Sequence, residues 1–225
     1  MIIIIWSDLK DWYVTSATRT LAVFLCGLAF FGFITDLRPE ISFQVLTVLG
    51  LWLGLNCGKE KWSSARLQSY IYNTTLKPGT VVAGKAVFSC LLSFLHLLFV
   101  LPLLLLNAVF SGVTWDVFLQ MLALFLTIST LASALASFAG NVLTDAKDSL
   151  IEGFLIGVYL LCTAIFPTLQ SINPLVEIHR VFTLGATKGL GSAIISNILI
   201  LVTVLMLTWI PYRSGKGEMK YGQYQ

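Results

Sequence analysis

Residues 58–85 read GKEKWSSARLQSYIYNTTLKPGTVVAGK, a polar stretch between two long apolar runs. This stretch holds five of the fourteen Lys and Arg residues of the chain. The chain has 225 residues, of which 57% are hydrophobic and only 11% are charged, whereas soluble domains carry about 25% charged residues. Its mean hydropathy is +0.87. The composition therefore predicts an integral membrane protein in which residues 58–85 contain the largest polar loop.

Six apolar segments follow one another along the chain, and most approach the roughly 20 residues that a membrane-spanning helix needs. Their bounds are 21–35, 41–57, 81–110, 117–142, 150–169 and 190–210. Pro102 is expected to kink the third segment, and Pro211 is expected to end the sixth. The predicted fold class is all-α, a single membrane domain over residues 1–225 with six transmembrane helices.

The N-terminal residues 1–15 precede the first apolar segment. Their apolar side chains recur at i, i+3 and i+4 and would form one stripe on a helix. Two tryptophans and a tyrosine lie on this stripe, which suits a helix lying in the membrane interface. We therefore predict an amphipathic interface helix here. The alternative is that residues 1–15 simply extend the first span.

The Lys and Arg residues predict the orientation of the chain. If the N-terminus lies inside, eleven of the fourteen basic residues fall in inner segments and three in outer ones. Such an excess marks the cytoplasmic side of a membrane protein. The predicted location is the cell inner (plasma) membrane, as a multi-pass protein with both termini cytoplasmic. Residues 211–225 then form a cytoplasmic tail, and residues 171–189 lie outside the cell.

The outer loop 171–189 reads SINPLVEIHRVFTLGATKG. Asn173 suits a helix N-cap and Pro174 the first helical turn, so a short re-entrant or surface helix is predicted. Glu177 and Arg180 are placed on its water-facing side. The apolar residues of the opposite face are Leu175, Ile178 and Phe182. The alternative is an ordinary surface loop.

The inner loop 58–80 can hold a short helix, followed by a turn around Pro78. A charged segment of this length, rich in aromatic residues, could dock onto a separate motor protein. The alternative is a solvated basic loop that only fixes the orientation of the chain.

Residues 79–86, GTVVAGKA, have the spacing of a nucleotide-binding phosphate loop up to their last position. There Ala86 replaces the Ser or Thr whose hydroxyl binds Mg²⁺. No strand precedes the glycines, so we expect no ATP hydrolysis by this chain and no enzyme activity. The spans contain few His, Asp or Glu residues, and neither a CxxC pair nor an HExxH sequence occurs. Neither a metal site nor a cofactor in this chain is therefore predicted, and the small, segregated net charge of +3 predicts no nucleic-acid partner.

Three features combine into a family resemblance. They are the amphipathic helix before the first span, the loop 58–80, and Asn173-Pro174 with Arg180 downstream. Within the loop, the matching elements are Glu60, the helix sequence RLQSY at 66–70, the turn LKP at 76–78, and the Gly-Lys pair at 84–85. In these features the chain resembles the permease subunits of ABC-2 type transporters, which have the type V exporter fold. One departure is Ala65-Arg66, where the family usually has Gly-Thr.

The resemblance implies a subunit that pairs with a second copy of itself or with a sister subunit, and that binds two copies of a separate ABC ATPase. ATP and Mg would be bound by that ATPase, and membrane lipid would surround the spans. A cytoplasmic coupling helix between spans two and three would contact the ATPase. The residues implied in this contact are Glu60, Trp62, Arg66, Leu67, Tyr70, Tyr72 and Pro78.

The family also implies a substrate route along the interface between the two permeases, lined by spans two and five. The candidate residues are Phe43, Leu46, Gly50, Leu53, Leu160 and Phe166. The expected function is export of an amphipathic substrate of the lipid, peptide, drug or glycolipid class. The alternative is a six-span channel or secondary carrier that works without an ATPase.

Overall fold

The computed structural model of the chain describes residues 23, 38–58, 78–142, 148–185 and 188–213. Within these ranges the chain is helical apart from short turns, and they contain no strand. The all-α prediction is therefore confirmed for this part of the chain. The interface helix predicted over 1–15 lies outside the described residues, as do nearly all of the first apolar segment, the loop 59–77 and the tail from residue 214 onward.

The described ranges contain six α-helices and one 3₁₀ helix. In chain order they are α1 (Pro39–Gly58), α2 (Pro78–Phe110), α3 (Trp115–Val142), α4 (Asp148–Ile165), the 3₁₀ helix Pro167–Ile172, α5 (Pro174–Leu184) and α6 (Lys188–Arg213). Four of these helices are long and apolar enough to cross a membrane: α1, α2, α3 and α6. This composition and length indicate a membrane protein.

The long helices alternate in direction. Asn107, near the end of α2, donates to the hydroxyl of Ser42, in the first turns of α1, at 2.7 Å. His179 of α5 contacts Glu40, also in the first turn of α1. We call this side of the bundle the α5 end: it contains the start of α1, the α2–α3 turn, α5 and the start of α6. The end of α4, which runs into the 3₁₀ helix, also lies there. The remaining helix termini, including Gly58, lie at the opposite end.

Helix α3 lies at the centre of the bundle and contacts α1, α2, α4 and α6. The rest of the chain buries 61% of the apolar stretch of α3, against 22% of the apolar stretch of α6. The closest approach is to α1, where a Cβ added at Gly54 would lie 2.1 Å from the carbonyl oxygen of Ser129. One turn earlier, a Cβ at Gly50 would lie 2.8 Å from the ring of Phe125. The two glycines therefore allow α1 and α3 to pack backbone against backbone.

Buried hydroxyl groups join α2 to α3. Ser89 donates to the carbonyl oxygen of Ser129 at 3.2 Å, and the hydroxyl of Ser93 bonds to the hydroxyl of Ser129. One turn along, Ser133 donates to the carbonyl oxygen of Lys85 at 3.2 Å. These serines are buried, so each hydroxyl needs a partner within the protein. The small serine side chains therefore let α2 and α3 pack closely.

Two helix ends differ from their sequence predictions. Helix α6 continues through Pro211 to Arg213, so the prediction that Pro211 ends it was wrong by two residues. Because Pro211 lies in the last turns of α6, its missing N–H disturbs only one helical bond. Helix α4 ends at Ile165, before the predicted end of the fifth segment at 169, because a 3₁₀ helix with Pro167 in its first turn follows. Pro102 lies inside α2 without ending it.

Candidate functional site

The densest group of buried polar side chains at the α5 end surrounds residues 166–184, which we call the Asn173 segment. It contains the 3₁₀ helix Pro167–Ile172, Asn173 and α5. The segment connects two long helices, since α4 precedes it and α6 follows it. Its polar groups must be satisfied by the protein because the surroundings are largely apolar.

Asn173 is 2% exposed, and all of its side-chain bonds connect the segment to itself or to α4. Its Oδ1 accepts from the backbone N–H groups of Leu175 at 2.9 Å and Val176 at 3.3 Å, which is an N-cap of α5. Its Nδ2 donates to the carbonyl oxygen of Leu160 and to the hydroxyl of Thr163, both at 2.9 Å. The predicted cap is confirmed, and the same side chain also fastens α5 to α4.

A second set of bonds holds the end of the 3₁₀ helix between α4 and α6. Asn197 of α6 is fully buried, and its Nδ2 donates to the carbonyl oxygens of Ile172 at 3.1 Å and Ala193 at 2.7 Å. The hydroxyl of Tyr159 on α4 donates to Oδ1 of Asn197 at 2.5 Å. The carbonyl of Ile172 thus lies between two long helices, level with the third turn of α6.

Glu177 departs from its prediction, because it is 2% exposed rather than solvated. Its Oε1 accepts from the Arg180 guanidinium at 2.7 Å, and that guanidinium also donates to Oε1 of Gln170 at 2.6 Å. Its Oε2 lies so close to Gly189 that a Cβ there would be 1.8 Å away. The side of α5 opposite its apolar face is therefore covered by the first turn of α6, whose N-terminal N–H groups favour a carboxylate.

On its other side, α5 contacts α1 through one polar and one aromatic contact. Nδ1 of His179 lies 2.7 Å from Oε1 of Glu40, and the two side chains are 58% and 26% exposed. The ring of Phe182 stacks on that of Phe43 with centroids 6.3 Å apart. Phe43 also meets Phe118 of α3 edge-on at 6.0 Å. The apolar residues of α5 thus join the core through Phe43.

The arrangement positions a short helix and satisfies its buried polar groups. The described ranges contain no cluster of three or more His, Cys, Asp or Glu residues that could hold a metal ion. The bonds described above are hydrogen bonds and a charge pair that connect the segment to itself and to its neighbouring helices.

The candidate pathway residues fall into two groups. The four residues of α1 share one helical face, as the spacing predicts, but that face is buried in the core and packs on neighbouring helices: Phe43, Leu46, Gly50 and Leu53. On the α4 side, Leu160 is partly buried and Phe166 is 54% exposed. Of these six, Phe166 presents the most open apolar surface.

Of the predicted coupling residues, the structure describes only Pro78. Glu60, Trp62, Arg66, Leu67, Tyr70 and Tyr72 lie outside the described residues. Pro78 is the first residue of α2. Both helix ends that bound the loop, the end of α1 and the start of α2, lie at the opposite end from α5.

Sequence reasoning missed four positions that the structure singles out: Gly54, Tyr159, Gly189 and Asn197. A signal existed for Gly54, because Gly50 and Gly54 have the GxxxG spacing of closely packed membrane helices. A signal also existed for Asn197, since a buried asparagine within an apolar helix needs a partner. Gly189 and Tyr159 carried no local signal, because their partners lie on other helices.

Replacing Gly189 by alanine should destabilise the Asn173 segment. The new Cβ would overlap the Glu177 carboxylate, which would have to leave its place beside α6. We expect a loss of about 1–3 kcal/mol in stability, measured as a lower Tm of the detergent-purified protein. Shortening the acid in the double variant Gly189→Ala/Glu177→Asp should recover part of the loss.

Gly191→Ala is the matched control, because nothing lies within 4 Å of a Cβ at Gly191, two residues along the same helix. An equal loss of stability in both glycine variants would contradict the steric explanation. So would a double variant whose loss is the sum of its two single changes.

Three features distinguish the described part of the chain. They are the central helix α3, the two short helices that connect α4 to α6, and the bonds around Asn173. Comparisons with protein-family models, with curated proteins and with solved structures find no significant match to this chain.

Proposed function

We propose that the chain is the transmembrane permease subunit of an ATP-driven ABC-2 type exporter. The observation that carries the proposal is the Asn173 segment. An Asn-Pro pair follows the fifth apolar segment, interrupts the path to the sixth, and caps a short helix that is bound to both flanking helices. This is the position at which the family resemblance places its outer loop.

The arrangement of charge and helices supports an orientation. The helix ends that border the basic segments 59–77, 143–147 and 214–225 lie at the opposite end from α5, and an excess of basic residues marks the cytoplasmic side. The proposed orientation therefore has the Asn173 segment on the extracytoplasmic side of the inner membrane and both termini in the cytoplasm. The proposed six spans comprise α1, α2, α3, α4 and α6 together with the apolar segment 21–35.

The proposed orientation gives the loop between α1 and α2 a role. It joins two helices that both terminate at the cytoplasmic end, where a separate ATPase would bind. Tyr70 and Trp62 are proposed as anchors, since aromatic residues dominate the binding energy of many interfaces. The ATPase, present in two copies, would hold ATP and Mg. This chain would pair with a second copy of itself.

The substrate route is proposed to follow the exposed apolar side of α4 rather than the core face of α1. Leu161, Ile165 and Phe166 are 60%, 61% and 54% exposed on or just after α4. Such a surface suits an amphipathic substrate of the lipid, peptide, drug or glycolipid class. The buried residues of α1, among them Phe43 and Gly50, pack on α3.

Association with an ATPase tests the proposal directly. The purified chain should form a stable complex with the ABC ATPase encoded beside it, and the complex should hydrolyse ATP in lipid vesicles. Tyr70→Asp should weaken this association at least about tenfold, the effect of losing an interface hot spot. Tyr221→Asp is the control, because it makes the same change in the proposed tail.

Two results would count against the proposal. One is a purified chain that binds no ATPase subunit under any nucleotide condition. The other is transport by the chain alone in vesicles without ATP, which is the result that a channel or secondary carrier predicts. Equal binding by wild type and Tyr70→Asp would overturn the coupling site alone and leave the rest of the proposal standing.

A further inference from the structure

Helix α5 is held by two unlike sets of contacts. On one side it meets the 3₁₀ helix and α6, and its N-cap Asn173 bonds to α4; on the other side it meets α1. The contacts on the first side are made by Asn173 and Glu177, which are each 2% exposed. Those on the α1 side include the contact between His179 and Glu40, which water can reach. This difference decides which side can separate.

The α4 and α6 side is expensive to open. Releasing Asn173 would break two bonds to α4 and leave its own buried side-chain amide to find new partners. Releasing Glu177 from its place beside α6 would move a buried carboxylate together with its Arg180 partner. Buried polar groups resist such separation because breaking their bonds costs free energy that water does not restore.

The α1 side is easier to open. Glu40 and His179 can both exchange their mutual bond for bonds to water, because their side chains are 26% and 58% exposed. The other contact, the stacking of Phe182 on Phe43, has no hydrogen bonds to break. Helix α5 ends at its C-cap Gly185, whose φ of 66° lies in the left-handed region that glycine adopts readily.

We propose that the contact between α1 and α5 is a latch: α5 can leave α1 while remaining fixed to α4 and α6, and the pair Glu40–His179 holds it closed. The other charged residues described near α5 occupy positions outside the pair Glu40–His179. Arg180 and Glu177 pair with each other on the far side of α5, Arg38 precedes α1, Lys188 begins α6, and the 3₁₀ helix has no charged residue. Opening would expose the apolar residues Ile178 and Val181 beside Phe43.

The latch does not depend on the proposed transport function. It is a property of how α5 is attached, and it can be measured in the full-length chain without substrate or ATPase. Failure of the ATPase-binding experiment would leave it untouched, and failure of the latch would not affect ATPase binding.

Thiol labelling measures the opening. In a chain whose native cysteines are replaced by alanine, Val181→Cys places a buried reporter on α5, and Leu184→Cys places an exposed control on the same helix. Leu190→Cys reports on the start of α6. The rate of reaction with a water-soluble maleimide is followed in detergent or in lipid nanodiscs.

Removing either member of the latch should speed the labelling of Val181→Cys. Glu40→Gln and His179→Gln should each raise the rate roughly two- to fivefold, the effect expected from losing one exposed contact between polar side chains. The double variant should do no more than either single one.

Asp116→Asn is the matched control, since Asp116 is an exposed acid at the same end and bonds only within α3. Three outcomes would overturn the latch. The first is unchanged labelling of Val181→Cys in both latch variants. The second is an equal increase at Leu190→Cys, which would mean that the whole end loosens. The third is an equal increase caused by Asp116→Asn.

Discussion

Replacing Gly54 by alanine should lower the stability of the protein by about 3 kcal/mol, the upper part of the range for overpacked cores. The new Cβ would lie 2.1 Å from the carbonyl oxygen of Ser129 and 2.9 Å from the Cβ of Ala132. The carbonyl oxygen belongs to the backbone, so it cannot move away by rotation of a side chain. Helices α1 and α3 would therefore have to move apart along their whole contact. The measurement is the Tm of the detergent-solubilised protein, followed by size-exclusion chromatography.

Gly157→Ala is the control for Gly54→Ala. It places the same methyl group on α4, at a position where nothing lies within 4 Å of the added Cβ. Since alanine is the better helix former by about 1 kcal/mol, this variant should be at least as stable as the wild type. A Gly54→Ala protein with the Tm of Gly157→Ala would show that α1 and α3 do not pack as described.

Replacing Asn173 by alanine should cost about 2–4 kcal/mol, which combines the loss of an N-cap with buried groups left without partners. Both N–H groups at the start of α5 and both acceptors on α4 lose their bonds. We expect a lower Tm and faster proteolysis within residues 166–184. This region should be affected most because Asn173 serves both α5 and α4.

Asn173→Ser separates the two roles of Asn173. Serine is also a good N-cap, but its hydroxyl is too short to reach Leu160 and Thr163, so an intermediate stability is expected. Asn56→Ala is the control, because Asn56 is exposed and bonds only within its own helix. A serine variant as stable as the wild type would show that the bonds to α4 contribute nothing.

Local features of the sequence predicted local structure well. Asn173 and Pro174 correctly predicted both the start and the cap of α5, because a cap involves only residues within one turn. The apolar segments predicted the long helices for the same reason. The bounds differed by a few residues where a neighbouring structure intervened, as at Pro211 and after Ile165.

The neighbours of each helix could not be predicted in the same way. The spacing of Phe43, Leu46 and Leu53 correctly put them on one face, but nothing in the spacing indicates whether that face meets a substrate route or α3. Glu177 was expected in water because it lies opposite the apolar face of α5. It is buried because α6 begins beside it, and that contact depends on Gly189, twelve positions further along the chain.

The bonds between α2 and α3 bear on how the chain enters a membrane during its synthesis. The hydroxyls of Ser89 and Ser93 bond to Ser129, which leaves the ribosome 40 and 36 residues after them. Held alone in lipid, α2 would face hydrocarbon with these hydroxyls bonded only to its own turns. Insertion of α2 and α3 together, as a helical hairpin joined at Gly112, removes that penalty. Helix α6, which packs on α3, leaves the ribosome only after this hairpin.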